Sequence, residues 1–431
     1  MKRTLAVGLS LFGFIASAMA QESMKMTGME NSVGYLSSGT SIEPRRTSES
    51  SPMVHKTFGD WVFMFHGNAF LANIQQSGPR GGDKLFSTNW VMPMLARTFG
   101  SSTVAFRTML SLEPATVTKR RYPLLLQTGE SAFGKHIVDG QHPHELFMEL
   151  SARYDYAFND RAQFFIYGGP VGEPALGPTA FPHRASASEI PSAPVGHHNQ
   201  DSTHISNSVI TLGLVSGPVQ LEASTFHGGE PNENRWNIDT GAPDSFASRL
   251  TFSAGNALTG QFSVAQINNR EPSDPGLDTL RTTASLHHNI RFSTGHVASS
   301  IIWGRNKDID QDERRISNAY TLESTVSFGR NWAWTRIESA DRDASLLAGE
   351  IEGHADETPI GHVQAWTFGY ERELPTGSAP IRVGIGGQMT LYGIPSSLKP
   401  TYGENPAGFM VFLRIRPKGN MALHMQAMHQ R

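Results

Sequence analysis

The chain has 431 residues, with 36 Lys+Arg against 39 Asp+Glu, 17% charged residues and no cysteine. That excludes a disulfide framework, thiolate metal sites and cysteine nucleophiles, and a net charge of −3 supplies no general field for nucleic acid. A mean hydropathy of −0.32 excludes a helical membrane protein, whereas 42 Gly and 25 Pro suit many short strands joined by turns.

In chain order, residues 1–20 read as a secretory signal: basic Lys2 and Arg3, the apolar run Leu5 to Ile15, then Ala18-Met19-Ala20 as an A-x-A cleavage site. The apolar run is too short to cross about 30 Å of hydrocarbon. Residues 21–56 are polar and Ser-rich, without periodicity, and Gly28 and Pro44 oppose a helix. They read as a flexible, Met-bearing periplasmic arm.

From about Trp61 to residue 417 the sequence alternates with period two, as in Ala162 to Tyr167, Val209 to Val215, Val297 to Trp303 and Gly408 to Arg416. Aromatics near strand ends, among them Tyr154, Tyr167, Trp303, Trp332, Trp334, Trp366 and Tyr392, suit interfacial girdles. Seven short turns, near 99–101, 159–161, 216–218, 254–256, 293–295, 329–331 and 374–379, alternate with eight longer polar connections. The longer ones fall near 75–86, 113–145, 170–202, 228–244, 271–279, 307–315, 342–359 and 395–404. Strict alternation predicts an all-β fold: a single transmembrane antiparallel β-barrel of about 16 strands over 57–417, porin-like, with both termini periplasmic. A propeller would need an internal repeat of fixed period, and none is found. Arg107, Arg153, Arg249, Arg281, Arg336, Arg382, Arg414 and Arg416 fall in predicted strands and should face the lumen. Arg at the lipid midplane costs about 2–4 kcal/mol.

Chemistry-bearing residues concentrate in two places. Seven of the 17 His lie between His136 and His204. His136, Asp139, His142 and His144 belong to the second long loop, and His183, His197, His198, Asp201 and His204 to the third. Imidazole suits Zn, Cu, Fe and Ni, and interspersed carboxylates ligate or fix tautomers. The competing expectation is a hydrogen-bonded polar plug. The second place is the tails: Met24, Met26 and Met29, and, within 418–431, Met421, His424, Met425, Met428 and His429. Thioether is a soft donor that selects Cu(I), so the tails are candidates for copper capture. Ser202 and His204 are the pair an outer-membrane hydrolase would use, but no G-x-S-x-G, H-E-x-x-H or P-loop motif is present. The expectation is a non-enzyme.

The stretches HPHELFMEL (142–150), YGGPVGEPALGPTAFPHRASA (167–187), GHHNQDSTHIS (196–206) and GGEPNENRWNID (228–239) resemble a family of Gram-negative outer-membrane barrel proteins. Its members occur among heavy-metal and copper-handling genes. The resemblance covers most of the barrel and implies outer-membrane localisation, a barrel fold and metal handling. The expected function is passage or handling of a small solute or metal ion, copper favoured, through a His/Asp/Glu-lined upper lumen. A general porin with a structural loop plug is the alternative. Expected partners are outer-membrane lipid, the solute or ion and a periplasmic metal carrier, without nucleic acid. No cofactor is required, and copper or zinc are the candidate ions.

Overall fold

The computed structural model describes residues 37–48, 53–132, 135–270, 276–310, 313–349 and 360–419. Among them, period-two sequence becomes sixteen long antiparallel strands. They are β1 (Trp61–Gln76), β2 (Asp83–Phe99), β3 (Ser102–Leu110), β4 (Phe147–Asn159), β5 (Ala162–Gly172), β6 (Ser206–Ser216), β7 (Val219–His227) and β8 (Ser245–Ala254). Then follow β9 (Leu258–Ile267), β10 (Asp278–Phe292), β11 (Gly295–Asp310), β12 (Glu313–Phe328), β13 (Asn331–Asp343), β14 (Ile360–Leu374), β15 (Ile381–Gly393) and β16 (Ala407–Pro417). Each pairs with its sequence neighbours, and β16 returns to β1 from Ala69↔Ile415 to Gln76↔Gly408. The ladder is closed, so the bilayer meets no unpaired backbone edge.

Alternation sets the two faces. On β8, Ser245, Ala247, Arg249 and Thr251 are buried inward while Phe246, Leu250 and Phe252 are exposed on the outer wall. The same outer band includes Leu212, Leu221, Phe262, Ile301, Leu322, Trp366 and Leu413. An exposed apolar belt of this extent on a closed barrel is a lipid-facing surface.

The seam has an extra piece. β1 pairs with β16 only from Ala69 onward, and a short strand, Val54–Phe58, pairs with Trp61–Phe65. It turns back through Gly59 at φ +58°, a left-handed conformation suited to glycine. The stretch of β1 that β16 does not reach is thereby covered, so the barrel begins inside the stretch expected to be arm.

Four expectations need correction. Residues 37–48 are not a loose arm, because they run inside the lumen. Arg249 Nη2 donates to Thr40 Oγ1 (2.9 Å), Gln220 Nε2 to the Thr40 carbonyl (3.0 Å), and Arg46 N to the Asn256 carbonyl at the tight-turn end (3.1 Å). A polar stretch without periodicity suits a polar lumen as well as it suits water, and the Gln220 and Arg249 contacts span 180 and 209 residues of sequence. Arg45–Ser48 even forms one helical turn. The connections expected at 75–86 and 307–315 are largely strand: β1 and β2 leave only 77–82 between them, and β11 and β12 extend to Asp310 and Glu313. Beyond the bilayer a strand is polar on both faces, and its composition imitates a loop. Finally, Tyr167, Trp332, Trp334 and Tyr392 are buried inward rather than girdling the exterior, with Trp332 4.4 Å beneath the Arg416 guanidinium.

Of the eight arginines expected to face the lumen, all but Arg382 are buried. Most meet an acid: Arg107 with Glu149, Arg153 with Asp155, Arg249 with Glu222, Arg336 with Glu338, and Arg414 and Arg416 with Glu189.

Leu250, exposed at the middle of β8, tests the membrane register. Leu250→Arg should destabilise the barrel in bilayers by about 2–4 kcal/mol, read from denaturant unfolding, while Leu250→Phe should be near neutral. Equal stability of the Arg variant would move this face out of lipid.

Candidate functional site

Two long connections meet inside the barrel. The second loop, 111–146, supplies His142 and His144. The third, 173–205, folds into the lumen and supplies His197 and His198 from a helical turn (His197–Gln200) and His204 from a second one (Ser202–His204). Backbone room fixes the third loop's position. A Cβ on Gly304 would lie 2.1 Å from the Asn199 carbonyl oxygen, and a Cβ on Gly129 would lie 2.4 Å from His198 Cγ. Arg281 Nη2 and Asn306 Nδ2 donate to the His198 carbonyl at 2.8 and 3.1 Å. Arg184, fully buried, donates through Nη1 to Asp201 (2.9 Å) and through Nε to Glu323 of the wall (2.5 Å).

The five rings form one cluster. Centroids are 5.1 Å apart for His197–His198, 5.3 Å for His197–His204, 5.4 Å for His144–His204, 6.2 Å for His142–His198 and 6.3 Å for His142–His144. Phe181 closes one side at 5.3 Å from His197. Four rings have Nδ1 against an oxygen that can only accept: His197 on Asp201 Oδ1 (2.7 Å), His144 on Glu113 Oε2 (3.0 Å), His142 on the Pro143 carbonyl (2.9 Å) and His204 on the Asp201 carbonyl (2.8 Å). Nδ1 therefore holds the proton, and in a neutral ring Nε2 has the lone pair. Carboxylate-oriented imidazoles of this kind are what metal sites use. A cavity of about 30 Å³ lies among His142, His144, His197, His204 and Arg270, enough for one or two waters.

Burial dominates the electrostatics. It lowers His204 to about 3, lowers His197, and holds His198 well below the ordinary imidazole value. Burial raises Asp201 too, but His197 and Arg184 outweigh it and hold the carboxyl below its usual range. His197, His198 and His204 are therefore neutral at pH 7. Among the described residues, however, no three His, Cys, Asp or Glu side chains are arranged to hold one metal ion.

The other expected ligands are elsewhere. His136 is exposed on the hairpin beside Lys135. Asp139 is a latch between loops, accepting from Arg80 Nε (2.8 Å), Leu126 N (2.8 Å) and the Tyr402 hydroxyl (2.9 Å). His183 lies beside the wall with His66, Trp90 and Met109 rather than in the cluster. Asp201 sits behind His197 as its orienting group. Met24, Met26, Met29, Met421, His424, Met425, Met428 and His429 lie outside the described residues. Ser202 Oγ accepts from Arg281 Nη1 at 2.9 Å, while His204 Nδ1 is committed to Asp201. The sequence reading missed Glu113, Arg184 and His66. A signal for the last was present, since Met64-x-His66 and Met92-x-Met94 put soft donors on one face of adjacent strands.

No family model matches the sequence, and no curated protein matches it. Solved structures similar in shape include the loop L8 deletion mutant of OmpT, an outer membrane protein of Vibrio cholerae (TM-score 0.49, 8% identity, covering 83% of this chain and 99% of that one). An anion-selective porin from Comamonas acidovorans gives 0.49 at 12% identity over 83% and 99% of the two chains. Salmonella typhi OmpF in complex with daunomycin gives 0.49 at 8% over 84% and 100%. The barrel assignment rests on the closed strand ladder itself.

Acid should loosen the plug. His204, with its folded value near 3, binds a proton more readily in the unfolded chain, near 6.5. Its contribution is therefore complete above about 6.5 and is lost as pH falls toward 3. Buried Glu173, raised to about 8 by desolvation, acts oppositely, its contribution being lost as pH rises from 4.5 to about 8. Below about pH 4.5 the Glu173 contribution is complete, and further acid removes what His204 and the depressed carboxyl of Asp201 contribute. Protease cleavage within 173–205 should rise as pH falls from about 4.5 toward 3, and less so in His204→Gln. An unchanged cleavage rate contradicts this.

Proposed function

We propose that this protein is a Gram-negative outer-membrane β-barrel that handles a small solute or metal ion, copper foremost, at the imidazole cluster of its plugged upper lumen. The supporting observation is the shared tautomer: His142, His144, His197 and His204 all give Nδ1–H to protein oxygens and so keep Nε2 as the donor toward an ion. Imidazole nitrogens of this type suit Cu and Zn. Binding requires the rings to swing from their present positions onto one centre. The tight-turn end, where the Val54–Phe58 strand and the end of β16 lie, is the periplasmic side in this proposal, because outer-membrane barrels carry their short turns there. The Met- and His-bearing tails and a periplasmic metal carrier belong to the same proposal. It includes no enzymatic step.

A general porin with a purely structural plug is the second reading. It is favoured by the described residues holding no converged set of three donors and by the ion pairs bracing the loop.

Single-channel recording with and without Cu²⁺, Cu⁺ and Zn²⁺ separates the two. If the cluster handles metal, copper changes the parent's conductance, and the His197→Gln/His204→Gln variant loses that response. A parent indifferent to metal, or a variant that responds like the parent, leaves the structural plug.

A further inference from the structure

The lumen of an outer-membrane barrel is ordinarily polar, and most of this one is. The sector over β1 to β4 differs. Met64, Met92, Met94, Met109 and Met148 form a buried cluster there, five of the chain's 16 methionines. Register places them together: Met64 faces Met94, and His66 faces Met92, across the β1–β2 ladder. His183 of the third loop comes down onto this wall. Its Nε2 lies 3.3 Å from Met109 Sδ, and its ring centroid lies 5.5 Å from that of His66. Trp90 packs against both rings, at 4.9 Å from His66 and 4.6 Å from His183.

We propose that Met109 Sδ, His183 Nε2 and His66 Nε2, under the indole of Trp90, form a binding site for a soft monovalent cation, Cu⁺ or Ag⁺. Methionine also fills gaps in ordinary cores, and packing alone would account for Met64 or Met94. It does not account for His66. That ring's Nε2 is buried and has no hydrogen-bond partner among the described residues, a state polar atoms avoid. With metal–nitrogen and metal–sulfur bonds of about 2.0 and about 2.3 Å, as at zinc, donors 3.3 Å apart subtend roughly 100° at a shared ion. Binding moves the His183 ring proton from Nε2 to Nδ1 and needs no redox step. Thioether favours Cu(I) over borderline or hard ions, and an indole within about 6 Å adds a cation–π contribution. With neutral donors a monovalent cation leaves one buried positive charge, where a divalent ion would leave two. This site is separate from the imidazole cluster, and either can fail without the other.

The test titrates detergent-solubilised full-length protein with Ag⁺, a redox-inert stand-in for Cu⁺, following bound metal by equilibrium dialysis and tryptophan fluorescence. The expected result is a site preferring Ag⁺ over Zn²⁺ whose filling quenches fluorescence. Met109→Leu and His66→Gln should each weaken it by at least about tenfold, the lower bound for losing even an outer partner of a metal site. Trp90→Phe should keep the bound ion and lose most of the quenching, which guards against a Met109 variant that fails to fold. His197→Gln should leave this site unchanged, which separates it from the imidazole cluster. The proposal is overturned if Met109→Leu and His66→Gln, folded by heat-modifiable gel migration, bind Ag⁺ as the parent does. It is equally overturned if quenching persists in Trp90→Phe.

Discussion

With the lumen filled, the guanidinium groups of Arg184, Arg249, Arg281 and Arg336 have almost no contact with water, and an unpaired buried charge is too costly to keep. Each of them divides its five N–H donors between neutralisation or side-chain pairing and the plug. Arg249 takes Glu222 with one edge and Thr40 of the N-terminal segment with another. Arg336 takes Glu338 and the carbonyls of Ser192 and Ala193. Arg281 takes Asn306 of the wall and the His198 carbonyl of the loop. Arg184 reverses the arrangement, reaching from the loop to Glu323 of the wall. Side chains that would line an open pore are thus used to staple the plug. Removing Glu323 leaves the buried charge of Arg184 uncompensated, at a cost of about 3–5 kcal/mol, so loop and wall are energetically coupled there.

The architecture was legible because lipid imposes a local rule. Period-two alternation and alternating connection lengths follow from tilted strands crossing hydrocarbon, and both appear within windows of ten residues. What fills the barrel obeys no local rule. Ser38 to Glu43 carry no pattern, since their placement depends on Gln220 and Arg249 across the lumen. Trp332 and Trp334 resemble girdle residues in sequence, yet inside the barrel they pack against Phe412 and Arg416 of β16, with β14 and β15 between them in the ladder. Even the rungs near Asp308 and Arg315, polar on both faces, became ladder because a neighbouring strand was present to receive them.

Of the candidate ligands within the described residues, the structure brings only some together. His142, His144, His197, His198 and His204 converge because the third loop's backbone is held at Asn199 and His198 by Gly304, Arg281 and Asn306. Asp139 and Asp201, in the same stretches, became structural partners. Asp139 ties the first, second and eighth loops together through Arg80 and Tyr402. Asp201 is shared between His197 and Arg184. A carboxylate beside a histidine in sequence is therefore as ready to orient as to ligate, and geometry alone assigns the role.

The lumen consequently has two donor environments of different character. The upper cluster offers imidazole backed by Glu113 and Asp201, which makes the rings more basic and suits a divalent or borderline ion. The wall sector offers thioether and imidazole without a carboxylate among its named donors, where a divalent ion would bury uncompensated charge and a soft monovalent one would bury far less. His183 belongs to the same loop as His197, His198 and His204 but packs against His66, Trp90 and Met109 of the wall. Donor softness thus changes along a single loop while the ion-paired plug remains in place.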